Sequence, residues 1–173
     1  MVQFNVSSLL QQHTGAMREY VIDDDVKIDG ERHHMTGQAR MDRTPDGIFV
    51  RAEMSGTAKT ECSRCLRPIE VPVLVAFEEE YVPSVDVVTG GRVDPPQGRE
   101  EAYRINERHF LDLEEPVQQY WAIAVPMAPL CREDCAGLCP RCGQEIAGDA
   151  HRCTDEEIDA RWAKLAELAS RGR

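Results

Sequence analysis

The chain has no apolar run long enough to cross a bilayer. The longest, VPVLVAF at residues 71–77, contains Pro72 and is about a third of the length a helical span needs. It also lacks a phosphate-cradling glycine loop, a G-x-S-x-G turn and an H-E-x-x-H helix, so those catalytic frameworks are excluded. Basic residues are few and almost all arginine: 20 Lys and Arg stand against 31 Asp and Glu, leaving a formal charge of −11 over 173 residues. A chain with that balance has no global electrostatic grip on nucleic acid. No secretory segment is visible before the first predicted strand, so the protein is expected to be soluble and cytoplasmic. The clusters Asp23-Asp24-Asp25 and Glu78-Glu79-Glu80 read as solvated strand ends.

Cysteine is what the chain does have. Seven cysteines form three short pairs and a single: Cys62/Cys65, Cys131/Cys135, Cys139/Cys142 and Cys153, the last preceded at two residues by His151. Two intervening residues let a tight turn aim both thiolates at one cation, and LCPRCGQEI carries the small residue such a turn needs after its second cysteine. Zinc is the expected cofactor. Seven cysteines and His151 make eight ligands, enough for two tetrahedral sites. One arrangement joins Cys62 and Cys65 to Cys131 and Cys135, and places Cys139, Cys142, His151 and Cys153 on a second ion. A rival puts Cys131, Cys135, Cys139 and Cys142 on a single ion and leaves Cys62, Cys65 and Cys153 reduced. Metal content is therefore two ions or one.

Thiol chemistry of another kind fits less well. Redox dithiols sit at a helix N-terminus inside a βαβ unit, whereas Cys142 is followed by glycine and CSRCLRP runs into Pro68 and a β-branched stretch. Structural disulfides disagree with an odd cysteine count. His33 and His34 lie beside a predicted strand and point to opposite faces, so they cannot readily chelate one ion. His13 and His109 have no partner at ligand spacing. Thiolate-rich zinc sites are closed and structural, and with no catalytic constellation present the expectation is a non-enzyme.

Arg64 and Arg67 flank the first cysteine pair, and Arg132, Arg141 and Arg152 lie beside the later ligands. Converging cysteines would gather these arginines into a small basic patch able to touch nucleic acid. The alternative is that each faces solvent opposite Glu61, Glu133, Asp134, Glu145 or Asp149.

The expected fold is α+β. An antiparallel β domain, a sheet or partly open barrel, occupies 1–82 and carries the first cysteine pair; its strands are 18–26, 34–42, 47–54, 56–61 and 69–81. Asp46-Gly47 after Pro45 signals a hairpin, and Gly56 signals a bend or bulge. Residues 83–101, rich in proline, paired glycine and charge, read as a loop or linker. A strand and an amphipathic helix follow in 102–130, the helix opening at Asp112 with Glu115 three residues on and burying Val117, Tyr120, Trp121 and Ala124. A zinc-knuckle module with a second helix from Thr154 closes the chain over 131–173.

The order of these motifs resembles the YceD family, the large ribosomal RNA subunit accumulation proteins. CSRCLRP, a polar proline-containing stretch, a short apolar helix ending in PMAPLC, and CREDCAGLCPRCG carry the resemblance over approximately residues 15–155. It implies a cytoplasmic bacterial factor supporting accumulation of 23S ribosomal RNA and assembly of the large ribosomal subunit. Its partner would be precursor 23S rRNA or a large-subunit ribosomal protein. The family's metal-type cysteines fall on Cys62, Cys65, Cys131, Cys135, Cys139, Cys142 and Cys153, and where relatives close with C-x-C this chain reads His151-Arg152-Cys153. The competing class of function is a thiol-disulfide oxidoreductase or a zinc-handling protein.

Overall fold

The computed structural model describes residues 2–98, 100–146 and 161. The chain divides into two compact units, and the division is discontinuous: Met1–Thr60 with Glu70–Met127, and Glu61–Ile69 with Ala128–Arg173. The Cys62–Cys65 turn thus groups with the C-terminal segment.

The first unit is built on an open sheet of five strands, in the order Met17–Ile28, Glu31–Arg43, Ile48–Glu61, Pro68–Pro83 and Tyr103–Ile105. β2 (Met17–Ile28), β3 (Glu31–Arg43), β4 (Ile48–Glu61) and β5 (Pro68–Pro83) are long, and their alternating pattern turns one side chain in two inward. Ile22, Val26, Met35, Met41, Ile48, Val50, Met54, Val75 and Tyr81 are buried in its core. β2 and β3 pair antiparallel from Met17↔Asp42 to Ile28↔Glu31. The two-residue turn between them, Asp29-Gly30, has φ of 50° and 88°, as a type I′ hairpin requires. That Asp-Gly hairpin is as clear a turn signal as Asp46-Gly47, and it explains why both strands run longer than their apolar patterns suggest.

β4 is continuous, which corrects the expected break at Gly56. Its inward residues keep the same phase from Ile48 to Ala58, so no residue is inserted. Gly56 faces the core, where a Cβ would overlap the Met35 sulfur and come 3.1 Å from the Trp121 ring. The glycine makes room for its neighbours, and the pairing of β4 with β3 ends one residue before it, at Thr36↔Ser55. The sheet is also mixed, because β6 (Tyr103–Ile105) pairs parallel to β5 in the register Tyr81↔Tyr103. A short N-terminal strand, β1 (Gln3–Asn5), pairs antiparallel with β7 (Phe110–Asp112), and α1 (Ser7–Leu10) follows it, burying Leu9 and Leu10.

The helix α2 spans Glu114–Ala124, with Leu113 at its cap position, one residue later than the expected cap at Asp112. Asp112 still serves it: one carboxylate oxygen accepts the Glu114 amide at 2.9 Å, while the other accepts from the Gln3 side chain at 2.7 Å. Val117 and Trp121 are buried, and Tyr120 stacks on Phe77 at 5.3 Å while its hydroxyl donates to Glu79. His33 and His34 do point apart. His33 packs on Trp121, and His34 stands exposed between Asp23 and Asp25. Within the loop after β5, Val85 bridges Arg92 and Asp86 accepts the amides of Val88 and Thr89, so this stretch is a folded hairpin. The expected helix from Thr154 lies outside the described residues.

Candidate metal centre

The second unit gathers four cysteine sulfurs. Sγ of Cys62, Cys65, Cys131 and Cys135 all lie within 4.8 Å of one another, with Cys62 to Cys135 and Cys65 to Cys131 each 3.8 Å apart. Four sulfurs bound tetrahedrally at about 2.3 Å from one zinc ion would be separated by about 3.8 Å.

Backbone hydrogen bonds set this spacing. Between β4 and β5 the Cys62 amide donates to the Arg67 carbonyl at 2.8 Å, and the Leu66 amide donates to the Cys62 carbonyl at 2.9 Å. Leu66 takes a φ of 59° to close the turn. The Ser63 amide then reaches the Pro129 carbonyl at 2.8 Å, drawing the segment that carries Cys131 alongside. Arg64 donates from its guanidinium to the Cys135 carbonyl at 2.9 Å. Gly137 packs on the same residue: a Cβ there would lie 3.1 Å from the Arg64 carbonyl oxygen, and its φ of 80° independently favours glycine.

Cys62, Cys65 and Cys135 are buried, Cys131 is half-buried, and Ile69, Leu130 and Leu138 pack around them. This apolar shell decides the electrostatics. The backbone amides of Cys65, Cys131 and Arg64 hold the Cys62 thiol down at about 6, against burial. Burial, with the shared protons of the Cys135, Cys65 and Cys62 sulfurs, pushes Cys131 up to about 12. At Cys65 the Arg67 amide lowers the thiol, yet burial and the Cys62 and Cys135 sulfurs outweigh it and leave it above its ordinary value. One thiolate is stabilised where Cys65 and Cys131 resist ionising, so four thiolates need a countercharge, which a divalent cation supplies. The residues present fit zinc by number, spacing and donor chemistry.

The other candidates fall elsewhere. Cys139 is buried and Cys142 exposed, in a separate turn, and the four-sulfur group does not include them. His151, Arg152 and Cys153 lie outside the described residues. Arg64, Arg67 and Arg132 stand beside the centre and are engaged there: Arg67 pairs with Glu145, Arg132 with Asp134 at 3.3 Å, and Arg64 with a carbonyl; Arg141 is exposed in the turn of Cys139 and Cys142. Across 61–69 and 128–146, Arg64, Arg67, Arg132 and Arg141 are balanced by Glu61, Glu133, Asp134 and Glu145. Sequence reasoning passed over Ile69, Leu130 and Leu138, although each stands within four residues of a cysteine, and apolar residues interleaved with paired cysteines signal a dry site.

Comparison with known proteins agrees with this motif order. An uncharacterized protein of Mycobacterium bovis and one of Mycobacterium tuberculosis are each 34% identical over 130 residues, covering 75% of this chain and 59% of the relative. An uncharacterized protein of Mycobacterium leprae is 29% identical over 131 residues, covering 75% and 56%. The chain therefore spans somewhat under two thirds of the length of these relatives. No solved structure matches it. The family described as large ribosomal RNA subunit accumulation protein YceD matches residues 50–169, a stretch that includes all seven cysteines, and the chain belongs to that family.

Proposed function

We propose that this protein is a non-enzymatic, zinc-stapled factor that supports accumulation of 23S rRNA and assembly of the large ribosomal subunit by holding a basic ribosomal protein. The observation that carries the reading is the four-sulfur group of Cys62, Cys65, Cys131 and Cys135 at tetrahedral spacing. A zinc ion there would have its coordination filled by thiolates and no position open for substrate, which suits a cross-link and not a catalyst. The ribosomal role is what the family description supports.

Charge favours a protein partner over RNA. The chain carries −11, four thiolates and one zinc ion would add a further −2, and the arginines beside the centre are balanced by carboxylates. Phosphate attachment scales with uncompensated cations, whereas an acidic surface attracts the lysine- and arginine-rich segments of ribosomal proteins. No membrane-spanning helix exists among the described residues.

Two experiments test the proposal. Gradient sedimentation of ribosomal particles from a strain lacking the protein should show depleted large subunits, restored by the wild type but not by Cys62→Ser/Cys135→Ser. Crosslinking in cells should then recover a basic ribosomal protein, and reversing Arg64, Arg67, Arg132 and Arg141 to glutamate should leave that product in place. Predominant crosslinking to RNA, lost on the same reversal, would refute the protein-partner reading. Normal particles in the deletion strain would refute the ribosomal role.

A further inference from the structure

The four sulfurs of the candidate centre are not equivalent. Cys62, Cys65 and Cys135 are 0%, 6% and 3% exposed, whereas Cys131 is half-buried and so the most accessible of the four. Backbone donors are shared unequally as well. The amides of Cys65, Cys131 and Arg64 all donate to the Cys62 sulfur, and the Arg67 amide donates to that of Cys65. The chief influences on Cys131 are burial and the other three sulfurs. An N–H donor draws charge from the thiolate it meets, which stabilises that thiolate and makes it a poorer nucleophile. With all four held as thiolates on one cation, the fraction ionised no longer separates them, and access and residual charge set which reacts first. Both favour Cys131 over Cys62 and Cys65, and access separates it from Cys135.

Two neighbours bear on what such a reaction would produce. Cys65 Sγ lies 3.8 Å from Cys131 Sγ, and the Arg67 guanidinium interacts electrostatically with both sulfurs. A partly exposed thiolate beside a positive charge, with a second sulfur in reach, is the setting in which cysteine oxidation is selective. The other close pair, Cys62 and Cys135, is equally spaced but buried at both ends.

We infer that Cys131 is a modification site: hydrogen peroxide oxidises it first, and Cys65 then closes a disulfide with it that dismantles the centre. The inference rests on the proposal that the four-sulfur group holds zinc. The Cys131 thiolate attacks one peroxide oxygen, the O–O bond breaks, and hydroxide leaves as the sulfur becomes a sulfenic acid. The Cys65 thiolate then attacks that sulfur, forms the S–S bond and expels a second hydroxide. Two protons from solvent turn both hydroxides into water, so two thiolates lose two electrons and one peroxide gains them. The sulfurs close from 3.8 Å to about 2.0 Å. Attack is at sulfur, so no open coordination position is needed, and the event is stoichiometric, which agrees with a non-enzyme. The new bond joins the same two segments that the ion joined, so the turn of Cys65 and the segment of Cys131 stay linked after the metal leaves.

The test treats the full chain, loaded with zinc, with substoichiometric hydrogen peroxide, denatures it in N-ethylmaleimide, and reads the linkages by peptide mass spectrometry without reduction. Within the four-sulfur group the first crosslink should join Cys65 to Cys131, with Cys62 and Cys135 recovered as blocked thiols. A first disulfide between Cys62 and Cys135, or even oxidation of all four, would overturn the inference. Cys131→His keeps a zinc donor at that position, and in it Cys65 should be oxidised more slowly by on the order of tenfold or more; oxidation as fast as in the wild type would contradict the assignment. Should that variant fail to fold, the linkage map of the wild type decides. Failure of the underlying reading looks different: without peroxide, N-ethylmaleimide would label the four native sulfurs as fast in zinc-loaded protein as after chelation, which would refute the zinc centre and the inference with it.

Discussion

Replacing Cys62 with serine removes one ligand from a cross-link that closes a long loop. Cys65 and Cys131 are 66 residues apart in sequence, and Cys62 and Cys135 are 73 apart. For a covalent link closing a loop of that size, the unfolded chain loses conformational freedom worth about 4 kcal/mol at 25 °C, and a metal clip constrains the unfolded state in the same way. The coordination energy of the ion adds to this, so about 4 kcal/mol is a floor. Cys62→Ser should therefore lose about one equivalent of zinc and lower the Tm of the transition involving the second unit by on the order of 10 °C. The assay is a thermal melt by circular dichroism on protein whose metal content is measured in the same sample. Cys142→Ser serves as the control: it lies outside the four-sulfur group and should leave the Tm nearly unchanged. The arrangement of Cys131, Cys135, Cys139 and Cys142 on one ion predicts the reverse order, and a stable, fully metallated Cys62→Ser would refute the reasoning.

Gly137→Ala should cost about 1–2 kcal/mol, since the new Cβ presses on Arg64 at a φ that alanine disfavours; chemical denaturation of the loaded protein measures it, and a neutral result would contradict the close packing. Gly56→Ala, facing the Met35 sulfur and the Trp121 ring, should destabilise the sheet by about 1–3 kcal/mol while leaving zinc content unchanged, which separates the two units experimentally. Zinc binding at pH 7 should release a full proton from Cys131, held up to about 12, and little from Cys62, already ionised with its value at about 6; calorimetry in buffers of different ionisation enthalpy counts the protons. In metal-free protein the depressed Cys62 value contributes stability that is fully present above the ordinary thiol value near 9 and is lost as pH falls through about 6. Cys62→Ser should flatten that acid-side loss, and an unchanged profile would count against the amide-stabilised thiolate.

Much of the fold was legible because period-two patterning is a local signal. The inward phase of Ile48, Val50, Ala52 and Met54 can be read from adjacent residues, and the stripe of Val117, Tyr120, Trp121 and Ala124 likewise. What escaped depends on distant partners. Gly56 looked like a break since glycine weakens a strand locally, whereas its reason for being there is the Met35 sulfur and the Trp121 ring, the latter 65 positions away in sequence. The parallel β5–β6 pairing and the pairing of β1 with β7 join segments whose short patterns carry no direction. At the candidate centre, cysteine spacing announced knuckles but not which would meet. That choice is made by contacts such as the Ser63 amide to the Pro129 carbonyl and Gly137 against Arg64. Which carboxylate meets which arginine was hidden for a similar reason: Arg67 lies close to its own cysteine turn in sequence, while Glu145, one of the partners offered for the arginines, pairs with it from 78 residues away.

Zinc-edge X-ray absorption of the full chain carrying Cys139→Ser/Cys142→Ser, purified under reducing conditions without chelator, tests the four-sulfur centre most directly. The account predicts one ion per chain with a single shell of four sulfurs at about 2.3 Å. A shell containing nitrogen or oxygen, or a folded protein holding no zinc, would contradict it.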